Sequence, residues 1–555
     1  MFKVSSETKY LHNLILISFF IICVILSYFY LFDYGVHIEE KFHRLNGHYW
    51  LNVVAKKLSL SGLELTTKLK IEEIYDYTLN PVWLYNKYGI VLDLPAALIE
   101  IIFNIEEIKN VYYLKHFLSF SIFLLSSFFF YKILKERFKN FYLNFSGLIL
   151  FVSTPRILGD SFLYKDVLFL SLFVFAIYFF LKSLDKLEKK YLILFALFTA
   201  LAISLRVFAI LLPLIFLFIL TLKVFNNSKF FFIFEKILFY FFFLTIFTYL
   251  FWPYLWDSPI NNFILIFSSM EKSLVDIKIL FANEFVSNYF LPDIYILKWI
   301  FISNPILQTI FFILGYSLCC ARILNRYFNL KEDKIFNDLW RGKKELIDLT
   351  FFLIIFIYFF SFLFVNAPFY NGWRLLYFFN IFLIYFAIYF FDRLLLNLNR
   401  NILKKVFLMS LVFFTLASNI YSIIIFHPFQ SLFFNILLNN KQINSYEGDY
   451  HGISSKHFFE YISLIDKKNK IKIAVASHTP LHRGLESLPS SLKNKFLVIG
   501  QEYEEADYIY KNNISEVDSK INKKYEIPKN FSKIYELKKG KTKIYEIYKF
   551  SKNLK

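Results

Sequence analysis

Two adjacent acidic residues, Glu39 and Glu40, follow directly after the first long apolar run of the chain. That run extends from Leu14 to Phe32, and at ~1.5 Å of rise per residue a helix of this length crosses a bilayer. Carboxylates at the mouth of a membrane helix can accept a proton from a substrate or bind a cation. The pair therefore predicts acid–base or cation chemistry at the membrane surface, with ordinary solvated acids in a loop as the alternative.

Basic residues stand near the ends of several later apolar runs, with further acids among them. The four cations are Arg156, Lys165, Arg206 and Arg374, and the acids are Asp160 and Asp166. Arginine binds phosphate oxygens in a bidentate manner, and lysine provides a point charge. Cations from separate loops beside a carboxylate pair could hold a phosphate-linked substrate while a base activates its acceptor. The alternative is that each cation snorkels to the interface or forms a local salt bridge.

The amino-acid composition indicates that these residues belong to a membrane protein. Hydrophobic residues make up 57% of the 555 residues, more than the 45–50% of soluble proteins. The sequence thus predicts a polytopic α-helical membrane protein. In such a protein a net charge of +19 marks cytoplasmic loops and does not indicate a nucleic-acid partner. The three cysteines lie in apolar runs and predict neither disulfides nor a zinc site.

Eleven apolar runs predict about 11 transmembrane helices. They cover residues 14–33, 112–131, 141–158, 163–181, 191–205, 207–222, 230–253, 296–321, 348–366, 374–391 and 404–426. As one helix, residues 191–222 would extend ~48 Å, too far for a ~30 Å hydrocarbon core, so two spans that turn at Arg206 are expected. The basic segments 132–139, 182–190, 223–236, 322–344 and 393–405 belong in the cytoplasm with the N-terminus. The C-terminus is then outside.

Two parts are expected along the chain. Residues 1–426 form the membrane part, in which the first run is a retained signal anchor and the outer loop 34–111 carries the acidic pair. Residues 427–555 predict a small extracytoplasmic α/β domain. Its expected elements are a helix over 455–468, strands over 470–476 and 495–500, and a hairpin that turns at Lys539-Gly540.

Aromatic residues and histidines provide further candidates on the outer side. Tryptophans there predict either interfacial belts or surfaces for sugar stacking, and Trp256 and Trp373 are the substrate-binding candidates. The tryptophans of this side are Trp50, Trp83, Trp252, Trp256, Trp299 and Trp373. His37, His43 and His48 share the first outer loop without a metal-ligand spacing. P-loop, GxGxxG, HExxH and CxxC motifs are missing from the sequence, which argues against a cytoplasmic nucleotide as substrate.

The acidic pair and its surroundings resemble the GT-C glycosyltransferases, specifically the family 39 branch of protein mannosyltransferases and aminoarabinose transferases. That branch has an Asp-Glu pair in its first extracytoplasmic loop, often followed by an aromatic residue or histidine, and here Glu39-Glu40 is followed by His43. Glutamate at the first position makes the side chain one methylene longer. Asp166 matches an acidic residue at a helix start of the family. Further matching segments are Phe251–Trp256, Asn371–Arg374 and Glu447–Gly452.

The resemblance implies an inverting transfer from a polyprenyl-phosphate sugar donor to a glycolipid, glycan or protein acceptor. One acid of the pair would deprotonate the acceptor, with Asp166 as a further catalytic acid. Arg156, Lys165, Arg206 and Arg374 would stabilise the departing lipid phosphate, and His43, Asp160, Trp256 and Trp373 would bind substrate. The mannosyltransferase branch implies no metal, whereas the oligosaccharyl transferases of the superfamily need a divalent cation. The implied location is the bacterial inner membrane, with a cytoplasmic N-terminus and a periplasmic C-terminus.

Three other functions remain open. A transporter or flippase for lipid-linked glycans would use broken helices with charges at the membrane midplane, and Pro213 and Pro305 are compatible with it. An O-antigen-type glycan polymerase also has many spans and a large outer loop, but it does not require an acidic pair in the first loop. A non-catalytic anchor for the C-terminal domain would not need the polar residues at the outer side.

Overall fold

The computed structural model describes residues 6–60, 87–163, 165–226, 230–271, 276–329, 339–365, 369–397, 402–518 and 521–551. Within these ranges the chain forms a bundle of apolar helices followed by a mixed sheet. Two predictions about the outer side fall on Trp83 and on residue 555, both of which lie outside the described residues.

The apolar runs form the helices of the bundle. In the described part of the chain, nine helices are long and apolar enough to cross a membrane, and a pair bent by 61° makes ten if it is one span. The predicted number of eleven also includes Lys189–Leu205, whose 17 residues extend only ~25 Å. The bundle helices are Ser6–Tyr30, Ile108–Arg137, Phe141–Ser153, Pro155–Ser161, Asp166–Lys186, Lys189–Leu205, Leu211–Asn226, Phe230–Phe251, Ile306–Phe328, Gly342–Val365, Asn380–Asn397 and Ile402–Phe426.

This arrangement confirms the polytopic helical fold and the predicted break at Arg206, which follows the last residue of Lys189–Leu205. Burial separates central from peripheral helices. In the most apolar stretch of each, 89% of the residues are buried for Asp166–Lys186 and 94% for Arg374–Asn397, against 11% for Glu7–Asp33. Apolar faces exposed on this scale require lipid around them. The two central helical stretches begin at Asp166 and Arg374, so rigid, fully packed elements fix both residues.

Smaller elements cover the end of the bundle at which Glu39, Arg206 and Arg374 lie, which we call the site end. Helices Glu40–Lys57 and Asp93–Ile102 pack closely there, since a Cβ at Gly47 would lie 2.3 Å from the backbone oxygen of Asp93. Strands β1 (Lys278–Phe281) and β2 (Glu284–Ser287) form a hairpin whose turn residues, Ala282 and Asn283, have positive φ. The remaining small elements are Pro259–Glu271, Tyr295–Ser303 and the 3₁₀ helices Leu31–Asp33, Val207–Ile210, Pro253–Leu255 and Arg374–Phe379.

The C-terminal part has the predicted α/β composition. Its strands are β3 (Ile471–Val475), β4 (Phe496–Val498), β5 (Tyr508–Lys511), β6 (Phe531–Lys539) and β7 (Thr542–Phe550), in the order β4-β3-β5-β7-β6. β3 runs parallel to β4 and β5, and β7 runs antiparallel to β5 and β6. Phe458 and Ile462 of helix Ser454–Ile465 pack on this sheet. The β6–β7 hairpin turns at Gly540, where φ is +56°, as the sequence predicted. The other short helices are Gln430–Leu432, Asn440–Ile443, His482–Leu485, Ser490–Lys493 and Tyr503–Glu505.

The C-terminal part packs directly on the first outer loop. The backbone N–H of Ile38 donates to the oxygen of His451 at 3.0 Å. A Cβ at Gly35 would lie 2.1 Å from the backbone oxygen of Ile453, so only glycine allows this approach. These contacts bring the segment after the last bundle helix to the site end.

A buried ion network joins helices at the opposite end of the bundle. Arg137 donates two hydrogen bonds to the carboxylate of Asp348, at 2.6 and 2.9 Å, and Arg322 donates a third at 2.8 Å. Asp348 is completely buried, and the Tyr385 hydroxyl donates to it as well, at 2.5 Å, so its charge depends on these three partners. This network fixes four helices relative to one another far from the acidic pair.

Candidate functional site

The two acids of the pair have different surroundings. Glu39 keeps 21% of its side chain exposed, and Arg374 Nη2 donates to its Oε1 at 2.8 Å. Glu40 is 1% exposed, and its Oε1 accepts a hydrogen bond from His116 Nε2 at 2.8 Å. Consecutive residues at a helix start do not face the same way. Glu39 therefore faces a cation of a central helix, whereas Glu40 attaches the loop to helix Ile108–Arg137.

Both acids are ionised at neutral pH. Burial opposes the charge of Glu39, but Arg374 and Lys165 outweigh it and hold the pKa of Glu39 well below its ordinary value. Burial also opposes the charge of Glu40, and its imidazole partner and the N–H of His37, at 2.9 Å, lower the pKa of Glu40 nonetheless. Because Glu39 is the more exposed of the two, it is the carboxylate that a substrate can reach.

Arg374 connects Glu39 to a second carboxylate. Its Nη1 lies 3.7 Å from Asp166 Oδ2, and Arg206 Nη2 forms an ion pair with Asp166 Oδ1. Arg374 and Asp166 are buried, and Arg206 retains 11% of its side-chain surface. The sequence placed these residues in three separate loops, and the structure brings them together at the ends of three helices.

Lys165 completes what we call the cation cluster, formed by Lys165, Arg206 and Arg374. Its φ of +88° is uncommon for a residue with a side chain. The ammonium lies 3.6 Å from the centre of the Tyr88 ring. Burial lowers the pKa of Lys165, and the charge of Glu39 opposes this. Three cations against two carboxylates, Glu39 and Asp166, leave the cluster with one excess positive charge.

A segment of the C-terminal part, Glu447–Ser454, covers the cation cluster. His451 Nε2 lies 3.4 Å from Asp160 Oδ2, and the ring centre of Tyr450 lies 5.9 Å from the Arg374 guanidinium. Asp449 fixes the segment by accepting the N–H of Ser454 at 2.8 Å. The structure therefore brings Asp160 and the segment around Tyr450 to the same place as Arg374.

Arg156 lies beside this group, but it is held by packing contacts. Its Nε donates to the backbone oxygen of Phe433 at 2.9 Å. The guanidinium stacks 4.8 Å from the Phe434 ring centre and 5.3 Å from that of Trp299. In the described part of the chain, Arg156 forms no ion pair with Asp166. The structure thus assigns Arg156 a structural contact, and its predicted part in phosphate binding stays a prediction.

Trp373 and Trp256, the two tryptophans predicted to bind substrate, differ in exposure and in contacts. Trp373 is 1% exposed and precedes Arg374, so its ring is covered by protein. Trp256 is half-buried, and its Nε1 donates to the oxygen of Tyr249 at 2.7 Å. Lys57 lies over the Trp256 ring at 5.6 Å. No described contact joins Trp256 to the cation cluster, so its predicted role in substrate binding stays a prediction.

His43 lies behind Glu39. Its Nε2 is 4.0 Å from Glu39 Oε2, and its Nδ1 is 3.1 Å from Asp93 Oδ2. Asp93 also accepts from Asn46 at 3.0 Å and lies 3.4 Å from Lys115. His43 lowers the pKa of Asp93 despite burial, so Asp93 is ionised and Nδ1 of His43 is the donor. This buried network orients the helix that follows Glu39.

Sequence reasoning did not single out several residues of the site. His116 and Lys115 interrupt an apolar run, and polar residues there are costly enough to indicate a function. Glu447 lies in a segment that the resemblance to family 39 enzymes includes, but no role was predicted for it, and Asp93 belongs to no predicted motif. In the described ranges no group of three or more His, Cys, Asp and Glu side chains is arranged to hold a metal ion.

Fold and site together define a multi-pass helical membrane protein with a buried, charged site at one end of its bundle. No protein-family model matches the chain, and a search of curated proteins finds no match.

Proposed function

We propose that the protein is a membrane glycosyltransferase that takes a sugar from a polyprenyl-phosphate carrier. The observation that carries this proposal is the contact between Glu39 and Arg374 inside a cluster of cations at the end of the bundle. A base beside a phosphate-binding group is what such a transfer needs, because the acceptor loses a proton while the carrier phosphate departs. The resemblance of the acidic pair to family 39 enzymes is consistent with this chemistry.

Charge and geometry support phosphate binding at the cation cluster. The cluster has one more positive charge than its carboxylates balance. Asp166 also stands at a helix N-terminus, where unpaired N–H groups favour anions. The Nε atoms of Arg206 and Arg374 are buried and have no hydrogen-bond partner among the described residues. A phosphate monoester or diester would give these donors acceptors.

Glu39 is the base in the proposed reaction. The acceptor oxygen forms a bond to the anomeric carbon from the face opposite the phosphate, and its proton passes to Glu39. The bond between the anomeric carbon and the phosphate oxygen breaks, and its electron pair leaves with the lipid phosphate. Without substrate, Arg374 makes Glu39 a weak base. A phosphate that competes for Arg374 weakens this attraction, so binding of the donor itself raises the basicity of Glu39.

We propose that a cleft near the site holds the lipid chain. Its lining includes Phe359, Phe362, Phe369 and Tyr295, together with the polar side chains of Asn288 and Asp293. The Tyr295 hydroxyl accepts the N–H of Gly372 at 3.1 Å, two residues before Arg374. A prenyl chain packed on the aromatic side chains of this cleft would therefore end close to the cation cluster.

We infer the orientation of the bundle from its basic residues. The network around Arg137 and Asp348 and the basic segments near it lie at the end opposite Glu39. The positive-inside rule puts that end in the cytoplasm, so the site and the C-terminal part would face the periplasm of a bacterial inner membrane. Lipid-linked sugars presented at that face are the donors, and a glycolipid, a glycan or a protein is the acceptor.

The bent helix supports a second candidate, a flippase for lipid-linked glycans. Phe141–Ser153 and Pro155–Ser161 meet at 61°, and broken helices form the substrate sites of many transporters. The two functions separate in proteoliposomes that contain purified protein. A transferase moves labelled sugar from undecaprenyl-phosphate sugars to an acceptor without moving the lipid between leaflets. A flippase equilibrates the labelled lipid between leaflets and forms no new glycosidic bond.

A further inference from the structure

A second group of side chains borders Arg374 and differs from the cation cluster in chemistry. It contains Asp160 and Tyr377 from the membrane part and Glu447, Tyr450 and His451 from the covering segment. Each of the five is more than nine-tenths buried. The His451–Asp160 contact of 3.4 Å and the position of Tyr450 near the Arg374 guanidinium hold the group together. We call it the polar chamber.

Two hydrogen-bonding atoms of the polar chamber, Glu447 Oε2 and His451 Nδ1, have no hydrogen-bond partner among the described residues. The Tyr377 hydroxyl lies between Asp160 and Tyr450, so these three side chains partly satisfy one another. More than nine in ten buried polar groups are normally paired, and each unpaired one is unfavourable. Two such atoms beside the Arg374 guanidinium indicate a surface built to hydrogen-bond a ligand.

The chamber suits hydroxyl-rich ligands, because two of its acid–base groups, Glu447 and His451, are neutral at pH 7. Burial raises the pKa of Glu447 to about 8, against the effect of Arg374, so this carboxyl is protonated and neutral at pH 7. Burial and the charge of Arg374 lower the pKa of His451 to about 3, so the imidazole is neutral as well. Tyr370 and Tyr450 add aromatic rings 5.0 and 5.9 Å from the guanidinium. Sugar rings bind to such combinations of aromatic faces and aimed polar atoms.

We propose that the polar chamber binds the hydroxyl groups of the donor's sugar unit, and that Glu447, Tyr450 and His451 give the C-terminal part control over sugar choice. This inference rests on the proposed function. In the donor the anomeric carbon is bonded to a phosphate oxygen, so a phosphate at Arg374 places the sugar ring next to that residue. The donor sugar, and not a distant acceptor, is therefore the unit that reaches the chamber.

We expect the polar chamber to discriminate strongly between donor sugars. A site built to hydrogen-bond a hydroxyl group rejects an analogue that lacks it, because its own buried groups are then left unpaired. Loss of the Tyr450 hydroxyl or of the Glu447 acid should therefore weaken binding of one sugar by tenfold or more. The effect on the bare lipid phosphate should be less than twofold.

Binding to the full-length protein in nanodiscs tests this proposal. The probes are undecaprenyl phosphate and its mannose, glucose and galactose esters, and the variants are Tyr450→Phe and Glu447→Gln. Glu505→Gln, an exposed acid of the C-terminal part, is the matched control. Thermal unfolding of each variant verifies folding, and Tyr450→Phe removes only one oxygen atom.

The outcomes separate the chamber from the reaction itself. The proposal predicts that wild type binds one sugar ester more tightly than the bare phosphate, and that both variants, but not the control, lose this advantage. Variants that keep the full advantage would overturn the chamber and leave the transferase proposal standing. A wild type that binds neither the bare phosphate nor any ester would overturn both.

Discussion

Arg374 is the residue on which the geometry of the site depends most. It joins Glu39, at 2.8 Å, to Asp166, at 3.7 Å, and is itself 3% exposed. Arg374→Gln keeps a polar side chain but removes the charge. Two carboxylates then lose a shared cation, and the pKa of Glu39 rises toward its ordinary value because its largest opposing charge is gone.

The size of the effect follows from burial. Breaking a buried ion pair by removal of one partner is unfavourable by about 3–5 kcal/mol. Since Glu39 is 21% exposed and water can replace part of the interaction, we expect the lower limit, about 3 kcal/mol. If the leaving phosphate loses the same stabilisation, kcat/KM for the donor falls by roughly a hundredfold.

The assay is sugar transfer in nanodiscs as a function of donor concentration, together with thermal unfolding. Arg44→Gln is the matched control, because it breaks another largely buried Arg–Glu pair at the site end, with Glu100 at 2.5 Å. Both variants should lose comparable stability, but only Arg374→Gln should lose transfer. Transfer by Arg374→Gln within threefold of wild type, or an equal loss in Arg44→Gln, would refute the reasoning.

Three other predictions concern stability and docking. Asp348→Asn removes the buried carboxylate that Arg137 and Arg322 share and leaves Arg137 only the more distant Asp392, at 3.8 Å. Thermal or denaturant unfolding should show a loss of about 3–5 kcal/mol; an unchanged midpoint would show that the network is not stabilising. Gly35→Ala places a methyl group against the backbone oxygen of Ile453. The clash should weaken docking of the C-terminal part by about 1–3 kcal/mol. Limited proteolysis should then cut the C-terminal part faster while the bundle stays intact. Because burial raises the pKa of Glu447 from 4.5 to about 8, its stabilising effect is complete below pH 4.5 and is lost as the pH rises through 8. Glu447→Gln should flatten this part of the stability profile, and a profile identical to wild type would contradict the assignment.

Patterns that depend on local physics were predictable from the sequence. The apolar runs became helices because an uninterrupted run of about 20 apolar residues has no other stable conformation in lipid. The β6–β7 hairpin was predictable because Gly540 supplies the positive φ that its turn requires. The break at Arg206 followed from the thickness of the bilayer. β5 was not predicted, because the segment Tyr508–Lys511 is too short to show a clear alternation of apolar and polar side chains.

The site was predictable only in part. Glu39, Asp166, Arg206 and Arg374 were all found, because charges at the ends of apolar runs are costly and therefore informative. Sequence does not say which charges meet, and Arg156 shows this, since it looked equivalent to the others but stacks on aromatic rings. The contribution of the C-terminal part depends on contacts between residues that are far apart in the sequence, such as His451 and Asp160, which are 291 positions apart, and no local pattern encodes such contacts.

The assignment of Glu39 as the base makes a direct prediction about two neighbouring residues. Glu39→Gln removes the carboxylate that faces Arg374, whereas Glu40→Gln alters the hydrogen bond to His116 behind the site. Glu107→Gln, a partly exposed acid of the same outer loop, is the control.

Transfer of radiolabelled sugar from undecaprenyl-phosphate donors, measured in membranes that contain equal amounts of each variant, is the decisive measurement. The account predicts transfer by wild type and Glu107→Gln, a loss of at least a hundredfold in Glu39→Gln, and a smaller loss in Glu40→Gln. Full transfer by Glu39→Gln would contradict the central claim that this carboxylate activates the acceptor.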